Sequence, residues 1–229
     1  MNDRNRVYTR LNNISELIYL EAEKRAEAQP IFENSHRKDE ANGVGCLGEV
    51  IAEHWMRRNG IHFISELNKT THDYRVNSSL KIDVKAKDRT VGPRSFYDNS
   101  APLYNHEHQR PDYFLFISLE RDRNNNTKKI RRFHTAYIVG SISYEEIDQV
   151  GIRFLEDEED WRNGTPFWTD CLNVAMWQLV PLSETIEIFK GQRDKPSINA
   201  CINTELVKIM QYRIKEGLYE PRDLPDVPS

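Results

Sequence analysis

The stretch Ile82-Asp83-Val84-Lys85-Ala86-Lys87 decides both the fold and the candidate chemistry of this chain of 229 residues. Its apolar and polar residues alternate, which predicts a half-buried β-strand because successive side chains of a strand point to opposite faces. The polar face then carries Asp83, Lys85 and Lys87. An acid two residues before a lysine places a metal ligand beside a cation, which suits attack on a phosphodiester. A solvated strand face would expose the same pair, so the motif needs support from elsewhere in the chain.

A second carboxylate, Asp73, lies in a short strand-like run that ends at the turn cluster Asn77-Ser78-Ser79. A three-residue loop pairs Val76 with Leu80 and puts Asp73 opposite Asp83, with Cβ atoms about 5 Å apart on one face. Two carboxylates this close repel each other unless a cation lies between them, and a divalent metal is the simplest candidate. A loop of two or four residues would instead turn Asp73 to the other face.

A third carboxylate, Glu49, lies in a predicted amphipathic helix that ends near Gly60. Gly45 and Gly48 remove side chains close to Glu49, although a glycine inside a helix costs about 1 kcal/mol relative to alanine. Two reasons for these glycines stay open: tight packing of the helix on a sheet, or access of substrate or metal to Glu49. Glu53, one turn later, is expected to be a solvated helix residue.

The order of these residues resembles the PD-(D/E)xK nuclease superfamily over roughly residues 43–140. Members share a core of a helix, a three-stranded hairpin arrangement, a second helix and a further strand. The resemblance implies an α/β fold with a restriction-endonuclease-like core, in which a central mixed β-sheet is flanked by helices, with N- and C-terminal helical extensions. The stretch from Arg89 to Arg110 holds the place of the family's second helix.

The resemblance also implies roles for individual residues. Glu49 matches the helix acid, Asp73 the first motif aspartate, Asp83 the second acid and Lys85 the lysine. Asp73 and Asp83, with the Val84 carbonyl and Glu49, would then hold Mg²⁺ (or Mn²⁺), and Lys85 would position the attacking water. The chain departs from the family just before Asp73, where histidine stands in place of the frequent proline.

The expected substrate contacts combine the polar strand face, the segment after it and a basic cluster around a predicted hairpin tip. They are Lys87, Arg94, Gln109, Arg121, Lys128, Lys129 and Arg131. The basic cluster could follow a phosphate backbone, or it could belong to a solvated hairpin that resists edge pairing by carrying charge.

The charge balance excludes strong indiscriminate coating of nucleic acid. The net charge is −4. Residues 1–150 contain 23 Lys and Arg against 22 Asp and Glu, and residues 151–229 contain 9 against 14. We therefore expect a DNA substrate selected by its shape, by a modified base or by a partner protein.

The lengths of the apolar runs and the placement of the cysteines help to predict the cellular compartment of the protein. No apolar run approaches the roughly 20 residues that cross a bilayer, so no membrane partner is expected. The three cysteines are scattered and predict neither a zinc site nor a disulfide framework. With no signal-peptide core near Met1, we expect a cytoplasmic protein of a bacterial or phage-infected host cell.

Three regions are expected within one compact domain. Residues 1–42 would form an N-terminal helix, over residues 7–29, and a connector. Residues 43–182 would form the nuclease core, and residues 183–229 would form C-terminal helices and a loose tail. The extensions could form a homodimer, grip DNA or only cover the sheet.

The sequence thus predicts a metal-dependent deoxyribonuclease, most simply a phage or mobile-element endonuclease of DNA processing or repair. Three alternatives stay open: a sequence-specific restriction endonuclease, a noncatalytic nucleic-acid-binding module that keeps the fold, and a different α/β protein in which the motif is accidental. The residues alone do not separate DNA from RNA as substrate, or endonuclease from exonuclease.

Overall fold

The computed structural model describes residues 8–28, 39–69, 71–94, 97–103, 110–125, 127, 129–160, 165–202, 212 and 215–217. The helices are α1 (Glu16–Ala28), α2 (Asp39–Arg58), α3 (Tyr144–Val150) and α4 (Leu182–Phe189). The strands are β1 (Thr9–Asn12), β2 (Phe63–Ser65), β3 (Tyr74–Val76), β4 (Leu80–Arg89), β5 (Asp98–Pro102), β6 (Tyr113–Arg121), β7 (Phe133–Ser143), β8 (Ile152–Phe154), β9 (Glu159–Asp160), β10 (Thr165–Pro166) and β11 (Cys171–Ala175).

A six-stranded mixed sheet organises the chain, with strand order β1-β7-β6-β4-β3-β2. Strands β4 and β6 pair in parallel, and the other neighbours in this sheet pair antiparallel. A parallel pair needs a crossover connection, and the crossover between β4 and β6 includes β5. Strand β5 belongs to a separate three-stranded sheet of order β5-β11-β8. The chain is therefore an α/β protein with a mixed sheet flanked by helices.

Both faces of the six-stranded sheet are covered. On one face Ile82, Leu115 and Ile117 pack with residues of α1, α2 and α4 in one apolar core. On the other face Phe114 and Phe116 pack with α3 and with apolar residues of the three-stranded sheet. Strand β6 is accordingly a near-continuous apolar run, as expected of a strand buried on both faces. The face of β4 that carries Asp83 and Lys85 is thus directed toward covered rather than open surface.

The N-terminal region differs from the single helix predicted over residues 7–29. Strand β1 comes first and pairs with β7, with Thr9 opposite Ile138. The left-handed backbone of Asn13 (φ 54°) turns the chain before α1 begins at Glu16. The apolar residues of this segment therefore supply an edge strand and a shorter helix, and Leu17 is left 75% exposed.

The predicted second helix of the core and the predicted C-terminal helices have different outcomes in the structure. The segment in place of the family's second helix contains strand β5, and none of its described residues is helical. The predicted helix that stops at Gly191 is confirmed as α4, with Gly191 in the left-handed region (φ 69°). The second C-terminal helix, predicted near residues 203–216, lies mostly outside the described residues. Among the helices that the structure describes, none is long and apolar enough to cross a bilayer.

Candidate active site

The hairpin of β3 and β4 has the predicted register. Val76 pairs with Leu80 and Tyr74 pairs with Ile82, so the loop consists of residues 77–79. Asn77 and Ser78 adopt left-handed backbone conformations, with φ of 48° and 60°, as a tight turn requires. The Asp73 N–H donates to the carbonyl of Ile82 at 3.0 Å, although Ile82 is the pairing partner of Tyr74. Asp73 therefore lies beside β4 where the pairing of the two strands ends, and it is not paired with Asp83 as predicted.

The Asp73 carboxylate accepts a backbone hydrogen bond just beyond the end of the strand pairing. β3 pairs with β4 only as far as Ile82. The N–H of Val84, two residues further along β4, donates to Asp73 Oδ2 at 2.7 Å. A buried backbone N–H needs such a partner, because leaving it unpaired costs about as much as a lost hydrogen bond. Asp73 is thus fixed against the backbone of the strand that carries the D-x-K motif.

Asp83 and Lys85 form an ion pair, with 2.6 Å between Lys85 Nζ and Asp83 Oδ2. Asp83 is only 2% exposed, and its neighbour across the parallel pair is Phe114. The alternative of a solvated strand face therefore does not apply to Asp83, because the second apolar core covers that side of the sheet. The partly exposed Lys85 brings a positive charge to a carboxylate that has little access to water.

Helix α2 brings Glu49 close to Asp73 and Asp83, because the helix packs in close contact with β4. A Cβ built on Gly48 would lie 2.6 Å from the Cβ of Ala86, so only glycine allows this approach. For Gly48, helix–sheet packing is therefore the reason that applies. A Cβ on Gly45 would meet nothing within 4 Å. Glu49 follows Gly48 directly, and its Oε2 is buried without a hydrogen-bond partner among the described residues.

The electrostatics show that these acids interact. Burial raises the pKa of Glu49 to about 7; the charge of Arg25 opposes this rise, and the Asp83 carboxylate adds to it. Burial also raises the pKa of Asp73 well above its usual range, with further contributions from the Asp83 and Glu49 carboxylates. We call Glu49, Asp73 and Asp83 the carboxylate cluster. The Asp83 charge opposes the ionisation of both Glu49 and Asp73, and a bound cation would relieve that repulsion.

The carboxylate cluster is not preassembled as a metal centre. Among the described residues, no three His, Cys, Asp or Glu side chains form a group that could hold a metal ion as they stand. Asp73 is engaged by the Val84 N–H and Asp83 by Lys85. The chemistry of the donors nevertheless fits a hard divalent cation, which prefers carboxylate oxygens. The buried Glu49 Oε2, which accepts no hydrogen bond from the described residues, is an available ligand of that kind.

Sequence reasoning missed the residues that hold this site together, above all Glu53. Glu53 is 2% exposed, against the expectation of a solvated residue. Its carboxylate accepts from Arg25 at 2.7 and 3.1 Å, from Arg57 at 2.7 Å and from the Tyr74 hydroxyl at 3.0 Å. The spacing of Glu53 and Arg57, four residues apart on a helix, is a signal that could have revealed one of these pairs.

A second missed group fixes the loop that leads to Asp73. His72, at the position where the family often has proline, is 3% exposed, and its Nε2 lies 2.6 Å from Glu66 Oε2. Glu66 also accepts two hydrogen bonds from Arg75, both at 3.1 Å. The Glu66 N–H donates to the carbonyl of Asp73 at 2.8 Å. The histidine therefore takes part in the hydrogen bonding that anchors the backbone of Asp73.

Three of the expected substrate contacts are engaged inside the protein. Lys87 forms an ion pair with Asp98 of β5. Arg121 donates to Asp88 at 2.9 Å. Arg131 bridges two glutamates of α1, Glu16 at 2.7 Å and Glu23 at 2.8 Å. The structure therefore favours charge pairing within the chain over a free phosphate-binding stripe for Arg121 and Arg131, although Arg131 itself remains exposed.

The remaining expected contacts lie either at the surface or outside the described residues. Arg94 and Lys129 are exposed. Gln109 and Lys128 lie outside the described residues, so their roles stay predictions.

No protein-family model matches the chain, and no curated protein matches it.

Proposed function

We propose that this chain is a metal-dependent deoxyribonuclease of the PD-(D/E)xK type, acting as an endonuclease in phage or mobile-element DNA processing or repair. The observation that carries the proposal is the meeting of three acids and a lysine from separate elements. Glu49 comes from α2, Asp73 from the start of the hairpin, and Asp83 and Lys85 from β4. A protein that only binds nucleic acid has no need for three acids near a phosphate.

The order of elements supports the same proposal. Helix α2 precedes three antiparallel strands, β2 to β4, and the chain then crosses over to β6, which is parallel to β4. This order agrees with the superfamily core in its helix, its three-stranded hairpin arrangement and its further strand. It departs from that core where strand β5 stands in place of the second helix.

The residues available for a metal are Asp73, Asp83 and Glu49, with the Val84 carbonyl as a backbone ligand. A Mg²⁺ or Mn²⁺ ion bound there would polarise the scissile phosphate and make a bound water more acidic. Because a carboxylate binds metal in its ionised form, the raised pKa of Glu49, about 7, implies that metal affinity increases as the pH rises through neutrality.

Lys85 has a role of its own. Its ammonium lies 2.6 Å from Asp83 Oδ2, so the carboxylate orients it. From there Lys85 would hold the attacking water in line with the phosphate and stabilise the negative charge that develops in the transition state. The leaving group would be the 3′ oxygen, so the expected products carry a 5′ phosphate and a 3′ hydroxyl.

The test is cleavage of a fluorescent DNA panel in the presence of Mg²⁺, Mn²⁺ or EDTA. The panel contains single-stranded, duplex, nicked, branched and base-modified DNA, together with an RNA strand. Wild type is compared with Lys85→Met, which removes the charge but keeps most of the side-chain volume. We expect metal-dependent cleavage that falls about 100-fold or more in the variant, the usual loss when one transition-state donor is removed.

Each outcome points to one reading. Cleavage at defined sequences would favour a restriction endonuclease, and cleavage of one DNA structure would favour a processing or repair enzyme. Metal-independent DNA binding without cleavage of any substrate would favour the noncatalytic module. Normal cleavage by Lys85→Met would reject the assignment of the site.

A further inference from the structure

The side chain of Tyr74 joins the two parts of the candidate site that come from different elements. Tyr74 follows Asp73 directly and is fully buried. Its hydroxyl lies 3.0 Å from Glu53 Oε1 and 3.3 Å from the backbone carbonyl of Glu49. One hydroxyl on the residue after Asp73 therefore contacts the main chain of Glu49 itself.

Glu53, the hydrogen-bond partner of Tyr74, is held in place by further contacts. Glu53 lies one helical turn after Glu49 on α2, and Arg25 and Arg57 both donate to its carboxylate. Arg25 comes from α1, so three elements meet at one buried carboxylate. The Tyr74 ring is fixed in turn by an edge-on contact with Phe63, with 5.5 Å between the ring centroids. Neither partner of the Tyr74–Glu53 hydrogen bond can move without breaking other contacts.

We propose that Tyr74 and Glu53 are positioning residues that set the separation of Glu49 and Asp73, and so the metal affinity of the site. This inference rests on the proposed function. Because the carboxylate cluster is not preassembled, its acids must approach one another to share a cation. The Tyr74–Glu53 link defines how far apart α2 and the hairpin lie when that approach begins. Outer residues that orient metal ligands typically account for about 10- to 100-fold in metal affinity or activity.

The test compares Tyr74→Phe with Tyr137→Phe. Tyr137 donates its hydroxyl to Glu120 Oε2 at 2.6 Å, away from the candidate site, so each variant loses a hydrogen bond between a tyrosine hydroxyl and a glutamate side chain, and Tyr74→Phe also loses the longer contact with the Glu49 carbonyl. Three quantities are measured on the full chain: the Mn²⁺ dissociation constant by titration calorimetry, the Mn²⁺ concentration for half-maximal cleavage, and the thermal unfolding midpoint in EDTA. Glu53→Asp, which keeps the charge but shortens the side chain, is a second variant should Tyr74→Phe fail to fold.

We expect Tyr74→Phe to raise both Mn²⁺ constants by about 10-fold or more, while Tyr137→Phe leaves them within about 2-fold of wild type. The unfolding midpoints of the two variants should fall by similar amounts. Equal Mn²⁺ constants for Tyr74→Phe and Tyr137→Phe, with an active wild type, would overturn the positioning role and leave the nuclease proposal intact. A wild type that neither binds Mn²⁺ nor cleaves DNA would overturn both.

Discussion

Replacing Gly48 with alanine should separate helix α2 from β4 and displace Glu49. The added Cβ would lie 2.6 Å from the Cβ of Ala86. Carbon atoms in contact normally stand about 3.5–4.0 Å apart, so the helix and the strand must separate by about 1 Å. Overpacking of this kind costs about 1–3 kcal/mol, and the better helix propensity of alanine offsets about 1 kcal/mol of it. The net loss of folding free energy should therefore be about 0–2 kcal/mol.

The loss of activity should be larger than the loss of stability. Glu49 moves with Gly48, and a misplacement of about 1 Å at a catalytic group can cost about 100-fold in rate. The matched control is Gly45→Ala in the same helix, where the new Cβ meets nothing within 4 Å. That variant should gain about 0.5–1 kcal/mol, as alanine does in a helix, and should cleave DNA at the wild-type rate.

Urea unfolding and metal-dependent DNA cleavage measure the two effects. Adding Ala86→Gly to the Gly48→Ala variant removes the clash, so the double variant should recover activity and show a favourable coupling free energy. If Gly48→Ala proves as stable and as active as Gly45→Ala, the close packing of α2 on β4 does not position Glu49. A loss of cleavage in Gly45→Ala alone would instead indicate that the helix glycines provide access to the site.

Three further predictions concern the fold around the site. Burial opposes ionisation of Glu53, but the hydrogen bonds from Arg25 and Tyr74 hold its net pKa below the usual value. In urea unfolding at a series of pH values, Glu53→Gln should therefore be about 2 kcal/mol less stable than wild type near neutrality. That gap should close as the pH falls below the unfolded-state pKa of about 4.3 and through the lower folded-state pKa, and a constant gap would reject the argument. Asp98→Ala removes the buried carboxylate that pairs with the partly exposed Lys87 and with the buried Arg89, and should cost about 3–5 kcal/mol in the same assay, whereas a loss below 1 kcal/mol would show that both cations find other partners. Burial raises the pKa of the Cys46 and Cys171 thiols to about 12, so a thiol reagent at pH 8 should label at most one cysteine of the native chain and all three after unfolding.

The sequence predicted best what depends on neighbouring residues. The turn residues Asn77 and Ser78 define a three-residue loop, and that loop length pairs Tyr74 with Ile82 and so brings Asp73 beside the strand that carries Asp83. The helix before Gly60 could also be predicted from the sequence, because the spacing of its apolar residues is a local pattern. Gly60 ends this helix with a positive φ of 66°. These features explain why the acids and the lysine could be named before the fold was known.

Contacts between distant segments could not be predicted in the same way. Arg25 and Glu53 are 28 residues apart and meet only because α1 packs on α2. The pairing of Lys87 with Asp98 depends on β5, which lies where a helix was expected. Alternation along β4 identified the correct face for Asp83, but alternation does not indicate that a second sheet and helix α3 cover the apolar residues beside it.

Two glutamates one helical turn apart, Glu49 and Glu53, differ in their hydrogen bonding and in the direction of their pKa shifts. Glu53 receives hydrogen bonds from Arg25, Arg57 and Tyr74, and its pKa lies below the usual value. Glu49 has a buried Oε2 without a hydrogen-bond partner among the described residues, and burial raises its pKa to about 7. Neighbouring acids whose pKa values are pushed apart by their surroundings are typical of sites with assigned acid and base roles. A buried carboxylate oxygen without a partner costs folding free energy, which supports the proposal that Glu49 serves as a metal ligand rather than as a stabilising contact.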